Sequence, residues 1–393
     1  MTEIIVREVT DDELLAATYS LSMNSYVATP PLPDKTAWLA GMKNLRGVTT
    51  MLVFADGQPV ARAIGRRLRQ QVRGALFPMV GIAGVATDLP ARRQGYARQA
   101  MAHLLGRMRA DGYALTCLYP FRESYYERMG YVAFPQVRQV RFNPSVLAGL
   151  LEKTPNGDYE QLLIADGYSI YRDQLRLLRQ RIHGMAIYDD DQIIEQSTSW
   201  LLLAKENKTI TGFMGYCLKG DWFEQFTIEV SRFYYYTAAG RYQLLAWLAR
   251  YIDQAKQVEL WLPAYETPET WWPDLNLSIG MAPIHIPMGR VLDVAKIGGM
   301  TTGAGHFTAR VSDPLCPWNE SIWDFETVDG LLRVEAAKQA DCELSIQALS
   351  GLVYGTHDPA DFVFRGWGDP SPELQAVMRV MFPPKLPHLH EVF

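Results

Sequence analysis

The chain has 393 residues, too many for one hydrophobic core, so two or three domains are expected. It is 48% hydrophobic and 21% charged, the balance of an ordinary globular protein, and its net charge of -5 argues against a general nucleic-acid binder. Cys117, Cys217, Cys316 and Cys342 stand far apart, with no CxxC pair and no histidine at metal spacing, which argues against a disulfide framework or a bound metal.

Taken in chain order, MTEIIVREVT is charged and strand-like rather than a signal peptide, and no apolar run reaches membrane length. A cytoplasmic protein with neither nucleic-acid nor membrane partners is therefore expected. DDELLAATYSLSMNSY follows as a helix with acids in its first turn, and Ala28 to Lys35 is a proline-rich break. Thr50 to Ala55 and Val60 to Leu68 flank the turn Asp56-Gly57-Gln58-Pro59, a hairpin signal. Met79 to Thr87 is an apolar strand of small residues. Tyr96 to Ala110 carries Ala97, Met101, Leu104, Leu105 and Met108 on one helical face, and Asp111-Gly112 ends it. Tyr113 to Tyr119 is strand-like, Glu123 to Met129 is a short helix, and another strand starts at Tyr131. An antiparallel start followed by strand-helix-strand predicts a mixed α/β domain.

The turn Thr154-Pro155-Asn156-Gly157 precedes a second helix-rich start near Tyr159. Trp200 to Ala204 and Ile210 to Leu218 form a predicted hairpin, followed by strand Phe223 to Phe233, helix Gly240 to Ala255 and strand Val258 to Pro263. This order repeats that of the first domain, as an internal duplication would. Beyond about Val291 come short strands at 306–311, 321–325, 331–336 and 342–344, then helices Ser345 to Tyr354 and Glu373 to Met381, an α+β unit.

The stretch "DLPARRQGYARQAM" (88–101) joins a strand to a helix. Free backbone N–H groups and the dipole at a helix start suit a pyrophosphate, with Gly95 allowing close approach and Arg92 and Arg93 adding positive charge. Taken alone, an arginine-rich turn of this kind is more often solvated surface. There is no GxxxxGK[ST] for a P-loop and no GxGxxG for a Rossmann site. The element after the next strand holds "ESYYERMGYVAF" (123–134), a helix expected to start at the same sheet edge, so a tyrosine on it can face a ligand held by the first loop.

Arg92-Arg93-Gln94-Gly95-Tyr96-Ala97 resembles the Arg/Gln-x-x-Gly-x-Gly/Ala loop of the GNAT acetyltransferase superfamily, and Tyr126-x-x-x-Gly130-Tyr131 resembles its downstream tyrosine feature. "LYPFRESYYERMGY", the chain length and the three-unit layout look more specifically like the Eis branch. The resemblance is sharp over about residues 50 to 135 and architectural elsewhere. The superfamily's usual proline three residues before the motif arginine is Leu89 here, with Pro90 one step later.

That resemblance implies two tandem GNAT-like mixed-sheet domains, 1–153 and a degenerate structural copy at 154–290, followed by a sterol-carrier-protein-like α+β domain at 291–393. It implies acetyl-CoA as cosubstrate, its pantetheine along Val85, Ala86 and Thr87 and its pyrophosphate on Arg92, Arg93, Gln94, Gly95, Tyr96 and Ala97. Tyr126 would be the general acid for the departing thiolate, and the terminal carboxylate of Phe393 the base for the amine, with Glu391 and His390 as alternatives. Tyr26 and Asp34 fall where this fold walls its acceptor site. The activity implied is N-acetyl transfer to an aminoglycoside-like polyamine or a lysine side chain by direct attack in a ternary complex, from a homo-oligomer, a hexamer by resemblance. A non-catalytic apolar-ligand carrier and a CoA-sensing protein are the alternatives. In the middle domain, "YYYTAAGRYQLL" lacks the paired cations and the loop spacing, and Tyr234, Tyr235, Tyr236, Trp271 and Trp272 are expected to be packing residues.

Overall fold

In the computed structural model the described residues are 2–25, 29–43, 47–153, 157–188, 199–220 and 225–393. They divide into two compact units: Met1–Pro135 with Leu178–Ile193 and Ile286–Phe393, and Gln136–Leu177 with Ile194–His285.

The first unit opens with β1 (Ile4–Glu8), α1 (Asp12–Ser25), α2 (Lys35–Lys43), β2 (Val48–Ala55), β3 (Gln58–Val72) and β4 (Ala75–Thr87). It continues through α3 (Tyr96–Ala110), β5 (Leu115–Leu118), α4 (Glu123–Glu127) and β6 (Val132–Ala133). The strands form one sheet in the order β1-β2-β3-β4-β5, then Met288–Val291, then β6. Its ladders are antiparallel except for β4–β5, the one pair that needs a crossover, which α3 supplies. Where β2 stops pairing with β3 at Arg66, strand Ala186–Tyr188 takes over along Leu68 to Gln70.

The 3.6-residue pattern of α3 sets its buried face: Tyr96, Ala100, Met101, Leu104, Leu105 and Met108 pack on Val80, Ile82 and Leu118. The opposite face of β4 and β5, carrying Phe77, Met79, Leu115 and Cys117, shares a core with helix Ile346–Tyr354. That helix belongs to an α+β segment with a four-stranded sheet in the order Leu331–Ala336, Ser321–Val328, His306–Ser312, Cys342–Ser345. Its interior is filled by Phe307, Phe325, Phe362 and Phe382.

Two predicted strands run further than their apolar stretches. β3 and β4 extend to Val72 and back to Ala75, because the polar residues that seem to end β3 are accommodated inside. Gln70 donates to the Gly184 carbonyl at 2.8 Å and accepts from the buried Tyr354 hydroxyl at 2.9 Å, so its amide is satisfied without water. Helix α2 and strand Met288–Val291 were not expected at all from the sequence pattern.

The second unit is a seven-stranded sheet in the order Ser278–Met281, Arg138–Phe142, Ala255–Leu262, Phe226–Tyr235, Thr209–Lys219, Trp200–Glu206, Asp158–Leu163. Again one pair, Phe226–Tyr235 with Ala255–Leu262, is parallel, and helix Ala238–Ala249 crosses between its strands. The two units thus repeat one strand order. In each, the place beyond the parallel pair is taken by a strand outside the contiguous run, Met288–Val291 in the first and Arg138–Phe142 in the second. No helix among the described residues is long and apolar enough to cross a membrane.

Candidate active site

The β4–β5 ladder is short. It pairs Met79 to Ile82 with Leu115 to Leu118 and stops, while β4 runs on to Thr87. A register slip opposite Arg62 to Ile64 bends β4 just beyond that point. β4 therefore runs past the end of the ladder over Val85, Ala86 and Thr87, which lead into the next loop.

From Thr87 the chain makes a 3-10 turn over Leu89–Ala91, with Ala91 N–H on Asp88 O at 3.0 Å and Arg92 N–H on Leu89 O at 3.3 Å. Pro90 sits in the first positions of that turn, where no donor is required, so the one-step shift of the proline costs the loop nothing. Arg92, Arg93, Gln94 and Gly95 are exposed, and Arg93 and Gly95 both have positive φ, 65° and 84°. Gly95 is the N-cap of α3 and offers no side-chain acceptor to the first-turn N–H groups. Tyr96 is buried, with its hydroxyl on Gln94 Oε1 at 3.1 Å, and Ala97 is half-buried. The loop therefore presents an uncapped, positively polarised helix start just after the end of β4, which fits an anionic diphosphate.

Tyr126 follows β5 on α4 and is 4% exposed. It stands edge-on to Phe121, Tyr125 and Tyr131, with ring centroids 5.8, 5.1 and 6.1 Å away. The N–H groups of Met129 and Tyr131 both bond its carbonyl, at 2.8 and 3.2 Å, closing the turn that Gly130 allows. Burial raises the neighbouring Tyr125 phenol above its ordinary value, with Arg128 and Arg98 acting against that. Burial also raises Tyr131, which shares a hydrogen bond with Thr116.

The last residues lie across the same sheet. Leu389 is buried in the core, and His388 N–H bonds His183 O at 2.8 Å. The Phe393 ring meets Tyr119 at 5.5 Å and rests on Gly81, next to the final β4–β5 pair. Tyr119 hydroxyl donates to Glu391 O at 3.0 Å, and Tyr188 hydroxyl to Val392 O at 3.5 Å. The latter contacts have no signature in local sequence.

Of the acceptor-side candidates, Asp34 is exposed and its carboxylate accepts from Ala37 N–H at 2.8 Å, capping α2. Tyr26 lies outside the described residues.

The corresponding corner of the second unit is built differently. Thr237 caps helix Ala238–Ala249 through Gly240 N–H at 3.0 Å. Beyond the last parallel pair, Val230–Leu260, Trp271 stacks on Phe233 at 5.7 Å and meets Tyr235 edge-on. Arg241 lies over Tyr235, Tyr242 and Trp271, and Tyr235 donates to Glu266 at 2.7 Å. Thr237 caps the helix start here, where Gly95 in the first unit offers no side-chain cap.

Residues 6–134 match the acetyltransferase (GNAT) domain family. Residues 298–390 match the sterol carrier protein domain family, so the chain carries a GNAT acetyltransferase domain followed by a sterol-carrier-protein domain. Solved structures match over nearly the whole chain. A GCN5-related N-acetyltransferase from Anabaena variabilis ATCC 29413 superposes with a TM-score of 0.83 at 14% identity, over 99% of this chain and 100% of that one. One from Kribbella flavida gives 0.80 at 18% identity over 100% and 99%. Eis1 from Mycobacterium abscessus gives 0.76 at 15% identity over 99% and 100%. No curated protein matches. These likenesses fix the fold, and the family match supports acyl transfer as the class of chemistry.

Proposed function

We propose that the chain is an N-acetyltransferase that moves the acetyl group of acetyl-CoA directly to a primary amine within a ternary complex. The observation that carries this reading is the end of β4 beyond its ladder with β5, followed by the uncapped start of α3, with Phe393 resting on Gly81 nearby in the same strand. Backbone of Val85 to Thr87 would align the pantetheine, and the Arg92–Ala97 loop the diphosphate. A backbone N–H near Val85 would polarise the thioester carbonyl. The Tyr126 hydroxyl gives its proton to the departing thiolate. A lysine-like ammonium of pKa ~10.4 is neutral in only about one molecule in 2,500 at pH 7, so the Phe393 carboxylate takes the amine's proton as attack proceeds. Aminoglycoside-like polyamines and lysine side chains are the acceptors to try first. A hexamer is the assembly the Eis resemblance suggests.

The test is release of free thiol from acetyl-CoA over a panel of amines. Tyr126→Phe is expected to lower kcat by about 10²-fold or more while calorimetry finds acetyl-CoA binding unchanged. Residues appended after Phe393 are expected to lower kcat comparably. No turnover on any amine, together with no binding of acetyl-CoA, would sink the proposal.

A further inference from the structure

We propose that Gly81, Tyr119 and Tyr188 act together as a latch that holds the end of the chain and fixes where the Phe393 carboxylate stands. The proposal rests on the reading of that carboxylate as proton acceptor, but the latch has a test that needs no acetyl transfer.

Each member comes from a different strand of the first sheet or its immediate extension, and each holds a different part of the last three residues. Gly81 is in β4. A Cβ built there would lie 2.7 Å from Phe393 Cδ2 and 2.8 Å from Cε2, so the ring rests directly on strand backbone. Tyr119 follows β5. Its ring closes on Phe393 edge-to-face, with an interplanar angle of 64°, and its hydroxyl holds the Glu391 carbonyl at 3.0 Å. Tyr188 ends the short strand that pairs along β3, and its hydroxyl holds the Val392 carbonyl at 3.5 Å.

Arg66 completes the third contact. It is the cross-strand partner of Gly81 in the β3–β4 register, and its Nη1 donates to the Tyr188 hydroxyl at 3.0 Å. A cationic donor on a phenol oxygen polarises the O–H and strengthens what that hydroxyl donates onward. The hydrogen bonds run Arg66 to Tyr188 to Val392 O.

The geometry has a consequence for the terminus. Two carbonyls in succession and then a ring are held, and the carboxylate shares its Cα with that ring. With the ring seated on Gly81, few torsions remain for the carboxylate. These contacts grip main chain at 391 and 392 and a ring at 393. They therefore demand an aromatic last residue and tolerate change in the two side chains before it. Tyr119 and Tyr188 are positioning residues, acting through Phe393 rather than on the amine.

The latch is tested by the rate at which a carboxypeptidase selective for aromatic ends frees phenylalanine from the folded full-length chain. Removing one hydrogen bond in Tyr188→Phe or Tyr119→Phe is expected to speed release about fivefold at unchanged melting temperature. Gly81→Ala, which pushes the ring off β4, is expected to do more. Release no faster than in the unaltered protein, or faster only together with a lowered melting temperature, overturns the latch. Turnover supplies the second readout. Tyr188→Phe is expected to lower kcat with the KM for acetyl-CoA unchanged, and to have no further effect in a chain lacking Phe393. An equal loss in both backgrounds overturns the positioning role. Unimpaired turnover in the chain lacking Phe393 instead defeats the carboxylate as base and leaves the release measurement standing.

Discussion

Gly95 carries two constraints at one position. Its φ of 84° is open to glycine at little cost, and as N-cap it leaves the first N–H groups of α3 without a side-chain acceptor. A Cβ there meets nothing within 4 Å, so the objection to alanine is conformational and not steric. Gly95→Ala is expected to weaken acetyl-CoA binding about tenfold in calorimetry, since strain of ~1–2 kcal/mol is relieved by turning the loop amides away. Unaltered affinity would show that the helix start is not the anion site. Histidines set a second property at this scale. His183 Nδ1 accepts from Arg73 N–H at 3.1 Å and its Nε2 meets the Tyr354 carbonyl at 2.9 Å, so only the neutral ring satisfies both neighbours. Burial lowers its pKa to about 3, and lowers His357 and His388 to about 4. The unfolded chain takes up these protons near pH 6.5 and the folded one does not, so stability is full above pH 6.5 and falls as pH drops toward 4. His183 alone is expected to cost about 2 kcal/mol between pH 7 and pH 5, read by urea denaturation at the two values. Asp358, held low by its Arg379 hydrogen bond, and Asp341, held low by Thr308, add losses only below the ordinary carboxylate range. A flat profile from pH 7 to 5 would contradict the neutral assignment.

One element, strand-loop-helix, occurs twice and is built for different ends. In the first unit β4 passes through a 3-10 turn and a loop into an uncapped helix, whereas in the second Tyr235 reaches helix Ala238–Ala249 across Tyr236 and Thr237 alone. Thr237 satisfies an N–H that Gly95 leaves exposed. Thr237→Ala is therefore expected to lower stability by about 1 kcal/mol in denaturant titration and to leave acetyl-CoA binding unchanged in calorimetry. Weakened binding would assign a ligand to the second helix start as well. This contrast was legible in the sequence because it is local: six residues define the first loop, and their spacing is missing from the second. The same locality made α3 readable from Tyr96 to Ala110, through its apolar periodicity and its Asp111-Gly112 stop. Strand ends were less legible. Gln70 and Gln71 look like surface residues until Gly184, Gln180 and Tyr354 supply partners from elsewhere in the chain.

At the scale of the molecule, what sequence concealed is long-range pairing. Nothing around Met288–Val291 says that it pairs with β5, and nothing around Tyr188 that it holds Val392. Phe393 is singled out in the sequence only by the family resemblance, while its seat on Gly81 comes only from three-dimensional proximity. The same dependence decides where the folding unit ends. The family match stops at residue 134, yet the sheet needs Met288–Val291, and its Leu68, Val72, Phe77 and Met79 are covered by Val291, Ile346, Leu349, Leu352 and Tyr354. Arg73 adds polar ties, donating from Nε to the Val353 carbonyl at 2.8 Å and from Nη2 to the Leu352 and Pro383 carbonyls at 2.9 Å. A chain cut after Pro135 would uncover those four side chains, at ~1.5–3 kcal/mol each. The sum rivals the whole ~5–15 kcal/mol stability of a typical domain, before the lost strand and Arg73 bonds are counted. Residues 1–135 alone are therefore expected to be aggregated, or compact with an exposed apolar face that binds a hydrophobic dye and no sharp unfolding transition. A soluble 1–135 monomer that melts cooperatively and binds acetyl-CoA would show that the C-terminal segment only decorates the acetyltransferase fold. The continuity of the core through Phe77, Met79 and Tyr354 argues that it completes it.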